Sequence, residues 1–89
     1  MRKRDREHLL LDFQRKRGDC TLEEAERLLR AYGFLRRAAS KEASVWKRGN
    51  ITLTLPRPKG RVLLVAYVAL VLRKIREAEM LGIPEEQQP

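Results

Sequence analysis

Residues 33–58, GFLRRAASKEASVWKRGNITLTLPRP, decide the fold of this chain. Within this stretch the apolar residues change from the spacing of a helix to the alternation that is typical of half-buried strands. Gly49-Asn50 predicts a tight hairpin turn with glycine in its first position. Pro56 and Pro58 end the predicted sheet, because proline has no backbone N–H to donate. The pattern predicts three short strands, over residues 35–39, 43–48 and 51–55.

Two helices are predicted before the strands. The first spans residues 2–17 and has one apolar face, although its basic first turns oppose the helix dipole. The second begins at Thr21, whose hydroxyl and the Glu24 carboxylate form a capping box. Gly33 supplies the left-handed residue that ends this helix.

After the strands, Lys59-Gly60-Arg61 leads into a predicted third helix that runs to about Leu81, where Gly82 ends it. Its valine-rich start, residues 61–68, alternatively predicts a fourth strand. The helical spacing predicts a core stripe of Val62, Val65, Val68, Leu72 and Ile75.

The predicted fold class is therefore α+β, with a three-stranded antiparallel sheet packed against helices in the order α-α-β-β-β-α. A length of 89 residues makes one domain with a modest core. Its segments are a basic N-terminal helix over 1–18, an α-β-β-β-α unit over 19–84 and a flexible tail over 85–89.

The charge of the chain points to a polyanionic partner. Twenty Lys and Arg residues stand against 12 Asp and Glu residues, which gives a net charge of +8. Between residues 31 and 74 the only acidic residue is Glu42, so the positive charge is concentrated around the strands. Such an excess attracts nucleic acid. A salt-bridged surface of the kind found in thermophile proteins is the alternative explanation.

The candidate RNA-binding residues lie on the strands and at their ends. Trp46 sits among these cations, and an exposed aromatic ring there would stack on an unpaired base. Trp46 alternatively belongs to the core, with the cations keeping the sheet edges from aggregating. The candidates are Arg36, Arg37, Lys41, Trp46, Lys47, Arg48, Arg57, Lys59 and Arg61.

Residues for catalysis or metal binding are few. His8 and Asp12 are spaced i, i+4 on the first helix, but no further ligand lies near them in the chain, so a solvated helix face explains them better than a metal site. Cys20 is the only cysteine, which excludes an internal disulfide and a thiolate metal site. No metal and no cofactor is therefore expected.

The expected location is the cytoplasm. A lone cysteine is typical of a reducing compartment, and no signal peptide is recognisable. The longest apolar run, residues 62–72, has 11 residues, whereas a membrane span needs about 20. No membrane association is expected.

The start of the third helix is apolar nearly all round and must be covered on more than one side. Either the N-terminal helix or a second copy of the chain supplies the cover. The candidate interface residues are Val62, Leu63, Tyr67 and Leu70.

Four short motifs occur here in an order known from one family: Gly33-Phe34, Ala43-Ser44-Val45-Trp46, Leu55-Pro56-Arg57-Pro58 and Leu81-Gly82-Ile83-Pro84. With these motifs, residues 21–84 resemble the HicA toxin family, also called YcfA-like, of small mRNA interferases. The resemblance implies a double-stranded-RNA-binding-domain-like fold, endoribonuclease activity and a HicB-like antitoxin partner. The catalytic histidine of the family falls on Ala43, and the glycine that typically precedes it falls on Lys41. The family's Pro-Arg-His segment ends here in Pro58.

Three hypotheses follow. The first is a HicA-like RNA-binding module that does not cleave, because an alanine methyl group cannot exchange a proton. The second is a divergent mRNA interferase in which another group replaces the histidine. The third is an interaction domain that forms a homodimer or binds an antitoxin-type partner.

Overall fold

The computed structural model describes residues 3–86 and confirms the predicted α+β fold. No helix within this range is long and apolar enough to cross a membrane. The elements in chain order are α1 (Lys3–Arg15), α2 (Leu22–Ala31), β1 (Leu35–Ala39), β2 (Ala43–Arg48), β3 (Ile51–Pro56) and α3 (Val65–Met80).

The start and end of α2 follow the predicted capping pattern. The Thr21 hydroxyl accepts from the Glu24 amide at 3.2 Å, and the Glu24 carboxylate accepts from the Thr21 amide at 3.1 Å. Burial raises the pKa of Glu24, but the hydrogen bonds from Thr21 and Lys16 outweigh it and hold this pKa below its ordinary value. Gly33 ends the helix with a φ of 79°. The prediction for this helix is confirmed.

The three strands form one antiparallel sheet in the order β1-β2-β3. Gly49 has a φ of 59° and is the only residue of the β2–β3 turn with positive φ, as expected for a hairpin turn with glycine first. A bulge interrupts the pairing of β1 with β2 between Arg36 and Ala38. The strand predictions are confirmed, with β3 extending one residue further, to Pro56.

One face of the sheet carries the core. Trp46 lies opposite Leu53 in the pairing of β2 with β3, and both side chains are buried, as are Val68 and Ile75 of α3. On the other face Lys47, Thr52 and Thr54 are exposed. The helices therefore cover the sheet on one side only.

The third helix begins later than predicted. It starts at Val65, and the preceding residues 61–64 are neither helix nor strand, so the alternative of a fourth strand is wrong. The Leu63 amide donates to the Cys20 carbonyl at 2.8 Å, which fixes this segment against the loop that precedes α2.

The buried stripe of α3 also differs from the predicted one. Its buried residues are Val68, Val71, Ile75 and Ala78. Val65 was predicted to lie in the core but is 50% exposed, and Val62 and Leu72 are half-buried. Val62 precedes the helix and Val65 is its first residue, so neither is flanked by helical turns on both sides, and within α3 the buried face passes through Val71 and not through Leu72.

The segment after α3 is held against the body of the protein, although it was predicted to be loose from residue 85. The Glu86 amide donates to the Gly33 carbonyl at 2.8 Å, and the Glu86 carboxylate accepts from the Gly49 amide at 3.2 Å. A β-carbon at Gly33 would lie only 2.3 Å from Cγ of Glu85, so this approach requires glycine. Residues 87–89 of the predicted tail lie outside the described residues.

Candidate nucleic-acid interface

Trp46 is a core residue and does not belong to an RNA-binding surface. Its side chain has no exposed area, and its indole Nε1 donates to the Ser44 hydroxyl at 2.9 Å. The Ser44 hydroxyl in turn donates to a Glu26 carboxylate oxygen at 3.3 Å. The Arg30 guanidinium lies 5.1 Å from the centre of the tryptophan ring. The prediction that Trp46 stacks on a base is wrong, and the alternative that placed it in the core is confirmed.

Arg48 is likewise buried, with 4% of its surface exposed. Its guanidinium donates to the Tyr32 carbonyl at 2.9 Å and through Nε to the Ile83 carbonyl at 2.9 Å. It also forms an ion pair with Glu79 at 2.8 Å. Arg48 therefore joins the ends of α2 and α3, and its assignment to an exposed RNA-binding surface is wrong. The alternation places Arg48 on the same strand face as Trp46, and the structure shows that this face is the buried one.

The other cations of β1 and β2 do not form one surface. Arg37 forms an ion pair with Glu86 at 3.4 Å. Arg36 lies opposite the buried Trp46 in the sheet, whereas Lys47 belongs to the exposed face, so the strand register places Arg36 and Lys47 on opposite sides. The candidate cations on the strands therefore do not gather on one face of the sheet.

Four of the predicted cations lie on a turn and a loop that adjoin at one end of the sheet. The Arg57 amide donates to the Glu42 carbonyl at 2.8 Å, which joins the β1–β2 turn to the segment between β3 and α3. Each of the four side chains is exposed, and none forms an ion pair within residues 3–86. We call this set the loop cluster: Lys41, Arg57, Lys59 and Arg61.

The loop cluster borders a pocket of about 390 Å³. Arg57 and Lys59 contribute its charged edge, and Tyr67, which is half-buried, contributes an aromatic ring. The remaining lining is mostly apolar: Pro56, Pro58, Gly60, Val62, Leu63 and Leu64. Cations beside an apolar pocket can hold phosphate groups while a flat ring enters the pocket.

On the far side of Arg57, a second groove contains Arg61 together with Glu23, so one carboxylate lies near this part of the loop cluster. The Glu23 side chain is exposed and forms no ion pair within the described residues.

The predicted interface residues are only partly available at the surface. Leu63 is 2% exposed and packs in the core, so its assignment to an interface is wrong. Val62, Tyr67 and Leu70 are half-buried. The more exposed apolar residue here is Leu64, at 69%, which the sequence pattern did not single out. A homodimer or a partner protein at this position stays a prediction.

No histidine belongs to the loop cluster or lines the pocket beside it. Ala43 begins β2 and is half-buried, and His8 is exposed on α1. The Cys20 thiol is buried and donates to the carbonyls of Phe13 and Lys16, at 3.3 and 3.2 Å. Burial raises the pKa of this thiol, so it stays protonated and unreactive near neutral pH. Among residues 3–86 no three His, Cys, Asp or Glu side chains gather in a way that could hold a metal ion.

Comparisons with models of known protein families, with curated proteins and with solved structures found no match for this chain. The resemblance to HicA toxins stays a prediction that rests on the four short motifs and the order of the elements.

Proposed function

We propose that this protein binds RNA without cleaving it and that the loop cluster provides the main contact. The observation that carries the proposal is that four exposed cations lie at one end of the sheet without an ion-pair partner in the described part of the chain. Like charges repel, so such a group is stabilised when an anion binds. Backbone phosphates supply anions at regular intervals along a strand.

The pocket beside the loop cluster favours a single-stranded ligand. Bases in a duplex are stacked and paired, whereas an unpaired base can turn toward an apolar pocket and contact an aromatic ring such as that of Tyr67. Arg57 and Lys59, at the edge of the same pocket, are positioned to hold the adjoining phosphates. The resemblance to HicA proteins favours RNA over DNA, and the cytoplasm as the location.

Binding without cleavage is supported by the chemistry of the site residues. Metal-independent RNA hydrolysis needs a group that exchanges protons near neutral pH. The position that corresponds to the histidine of HicA proteins is Ala43, and the loop cluster contains only lysine and arginine side chains. The bound RNA is therefore recovered intact.

The test is to replace Lys59 and Arg61 with alanine together and to measure binding of a labelled, mixed-sequence RNA by fluorescence anisotropy. Two lost phosphate contacts should weaken binding about 25-fold at 0.1 M salt, from a slope of about −0.7 per contact.

A matched control carries Arg4→Ala and Arg27→Ala, two exposed arginines outside the loop cluster. The control loses the same net charge and should bind nearly as tightly as the natural protein. Equal weakening in both variants would mean that only the overall charge attracts RNA. A gel of the RNA after incubation gives the second readout, and shortened products would contradict binding without cleavage.

A further inference from the structure

Three arginines outside the loop cluster surround a groove between the end of α1 and the middle of α3. Gln14 and Arg17 line it from the α1 side. Ala69, Leu72, Arg73 and Arg76 line it from α3. The groove has a volume of about 430 Å³ and mixes polar with apolar surface. We call it the arginine groove.

The arginine groove has no carboxylate in its lining. Arg17, Arg73 and Arg76 are all exposed, and none of them forms an ion pair within the part of the chain that the structure describes. The nearest acid along α3, Glu77, lies in a neighbouring pocket that Arg73 and Arg76 also line, and it forms its ion pair with Lys74 at 3.9 Å. Three guanidinium groups around one groove repel each other, and a bound anion relieves that repulsion.

The residue types in the groove suit phosphate in particular. A guanidinium presents a planar set of donors that matches two phosphate oxygens at once. Arg73 and Arg76 are three residues apart on α3 and therefore share one side of the helix. Ala69 lies one turn before Arg73 and has a small side chain, which leaves room for a ligand to approach the helix. The Gln14 amide adds an uncharged donor.

The loop cluster and the arginine groove lie at different points along the chain segment that contains α3. Lys59 and Arg61 precede α3, and Arg73 lies eight residues after the first residue of the helix, about 12 Å along its axis at 1.5 Å per residue. Arg73 is therefore about two turns beyond the end of α3 that follows the loop cluster.

We propose that the arginine groove is a second binding site, which takes phosphate groups through Arg17, Arg73 and Arg76. The phosphates come either from the backbone of an RNA that also contacts the loop cluster or from a free polyphosphate. Binding of RNA phosphates at the groove rests on the proposed function above, whereas binding of a free polyphosphate does not depend on it. The extra helix α1 is what completes the site, because it brings Arg17 to α3.

The experiment compares the double variant Arg73→Ala/Arg76→Ala with the control Arg4→Ala/Arg27→Ala, which loses the same charge elsewhere. RNA affinity is measured by anisotropy at 0.1 M salt. Tripolyphosphate binding is followed through the backbone amide signals in two-dimensional NMR spectra. Circular dichroism confirms that each variant is folded. If the double variant does not fold, the single variant Arg17→Ala replaces it, because Arg17 lines the groove from the α1 side. Loss of this one phosphate contact should weaken RNA binding about 5-fold.

Two outcomes support the site and identify its ligand. If the phosphates belong to RNA, the double variant binds RNA about 25-fold more weakly than the control does. If they belong to a free polyphosphate, tripolyphosphate shifts the amide signals of Arg17, Ala69 and Arg73 in the natural protein. The double variant loses these shifts, and it binds RNA as tightly as the control does.

The proposal is overturned if the double variant and the control respond alike to both ligands. Failure of the proposed function is seen separately, because the natural protein would then bind no RNA at all. Tripolyphosphate binding at the arginine groove would still be measurable in that case.

Discussion

Replacing Trp46 with alanine is expected to lower the free energy of unfolding by about 3–5 kcal/mol. Trp46 is the largest of the fully buried side chains and lies in the central strand of the sheet. Its removal opens a cavity beneath α2 and takes away the donor to the Ser44 hydroxyl. A domain of this size has a total stability of roughly 5–10 kcal/mol, so the change removes a large fraction of it.

Urea denaturation followed by circular dichroism measures this effect, since the variant lacks the fluorescent tryptophan. Trp46→Phe is the control, because it keeps most of the apolar volume and loses only the Nε1 hydrogen bond. It should be destabilised clearly less than the alanine variant. An alanine variant as stable as the natural protein would mean that Trp46 is at the surface.

Replacing Arg48 with alanine is expected to lower the free energy of unfolding by about 3 kcal/mol. The change leaves the buried carbonyls of Tyr32 and Ile83 without their donor and removes the ion-pair partner of Glu79. Most of the cost comes from the carbonyls, because Glu79 is partly exposed and water can solvate its carboxylate.

The neighbouring cation provides the matched comparison for Arg48. Lys47 is exposed on the open face of the sheet, and Lys47→Ala should change the unfolding free energy by no more than about 0.5 kcal/mol. The midpoints of urea denaturation should therefore differ widely between the two alanine variants. Similar midpoints would show that Arg48 does not join the helix ends.

The local signals in the sequence were sufficient for most of the secondary structure. The capping box at Thr21 and the glycine at position 33 define α2 through interactions within a few residues. The alternation along β2 and β3, with the Gly49-Asn50 turn between them, likewise depends on neighbours in the chain. Interactions between residues that are close in the chain can be predicted from a single sequence.

Features that depend on distant parts of the chain were not predictable. The late start of α3 follows from the hydrogen bond between Leu63 and Cys20, which are far apart in the sequence. The alternation showed that Trp46 and Arg48 share a strand face, but both faces of β2 carry a cation, so the pattern alone did not show which cation is buried. Placement of the helices over the sheet decides that.

The candidate site also depends on which distant parts of the chain lie next to each other in the fold. The four residues of the loop cluster meet because a turn and a loop adjoin at one end of the sheet, and they were among the predicted cations. The arginine groove was missed, because Arg17 and Arg73 are brought together only by the packing of α1 beside α3.

The most direct test of RNA binding by the loop cluster is the salt dependence of the RNA affinity. Four phosphate contacts to a single strand give a slope of log K against log salt concentration near −3. Removing two of them with Lys59→Ala and Arg61→Ala should bring the slope to about −1.4. An unchanged slope in this variant, or no RNA binding by the natural protein at low salt, would contradict the account.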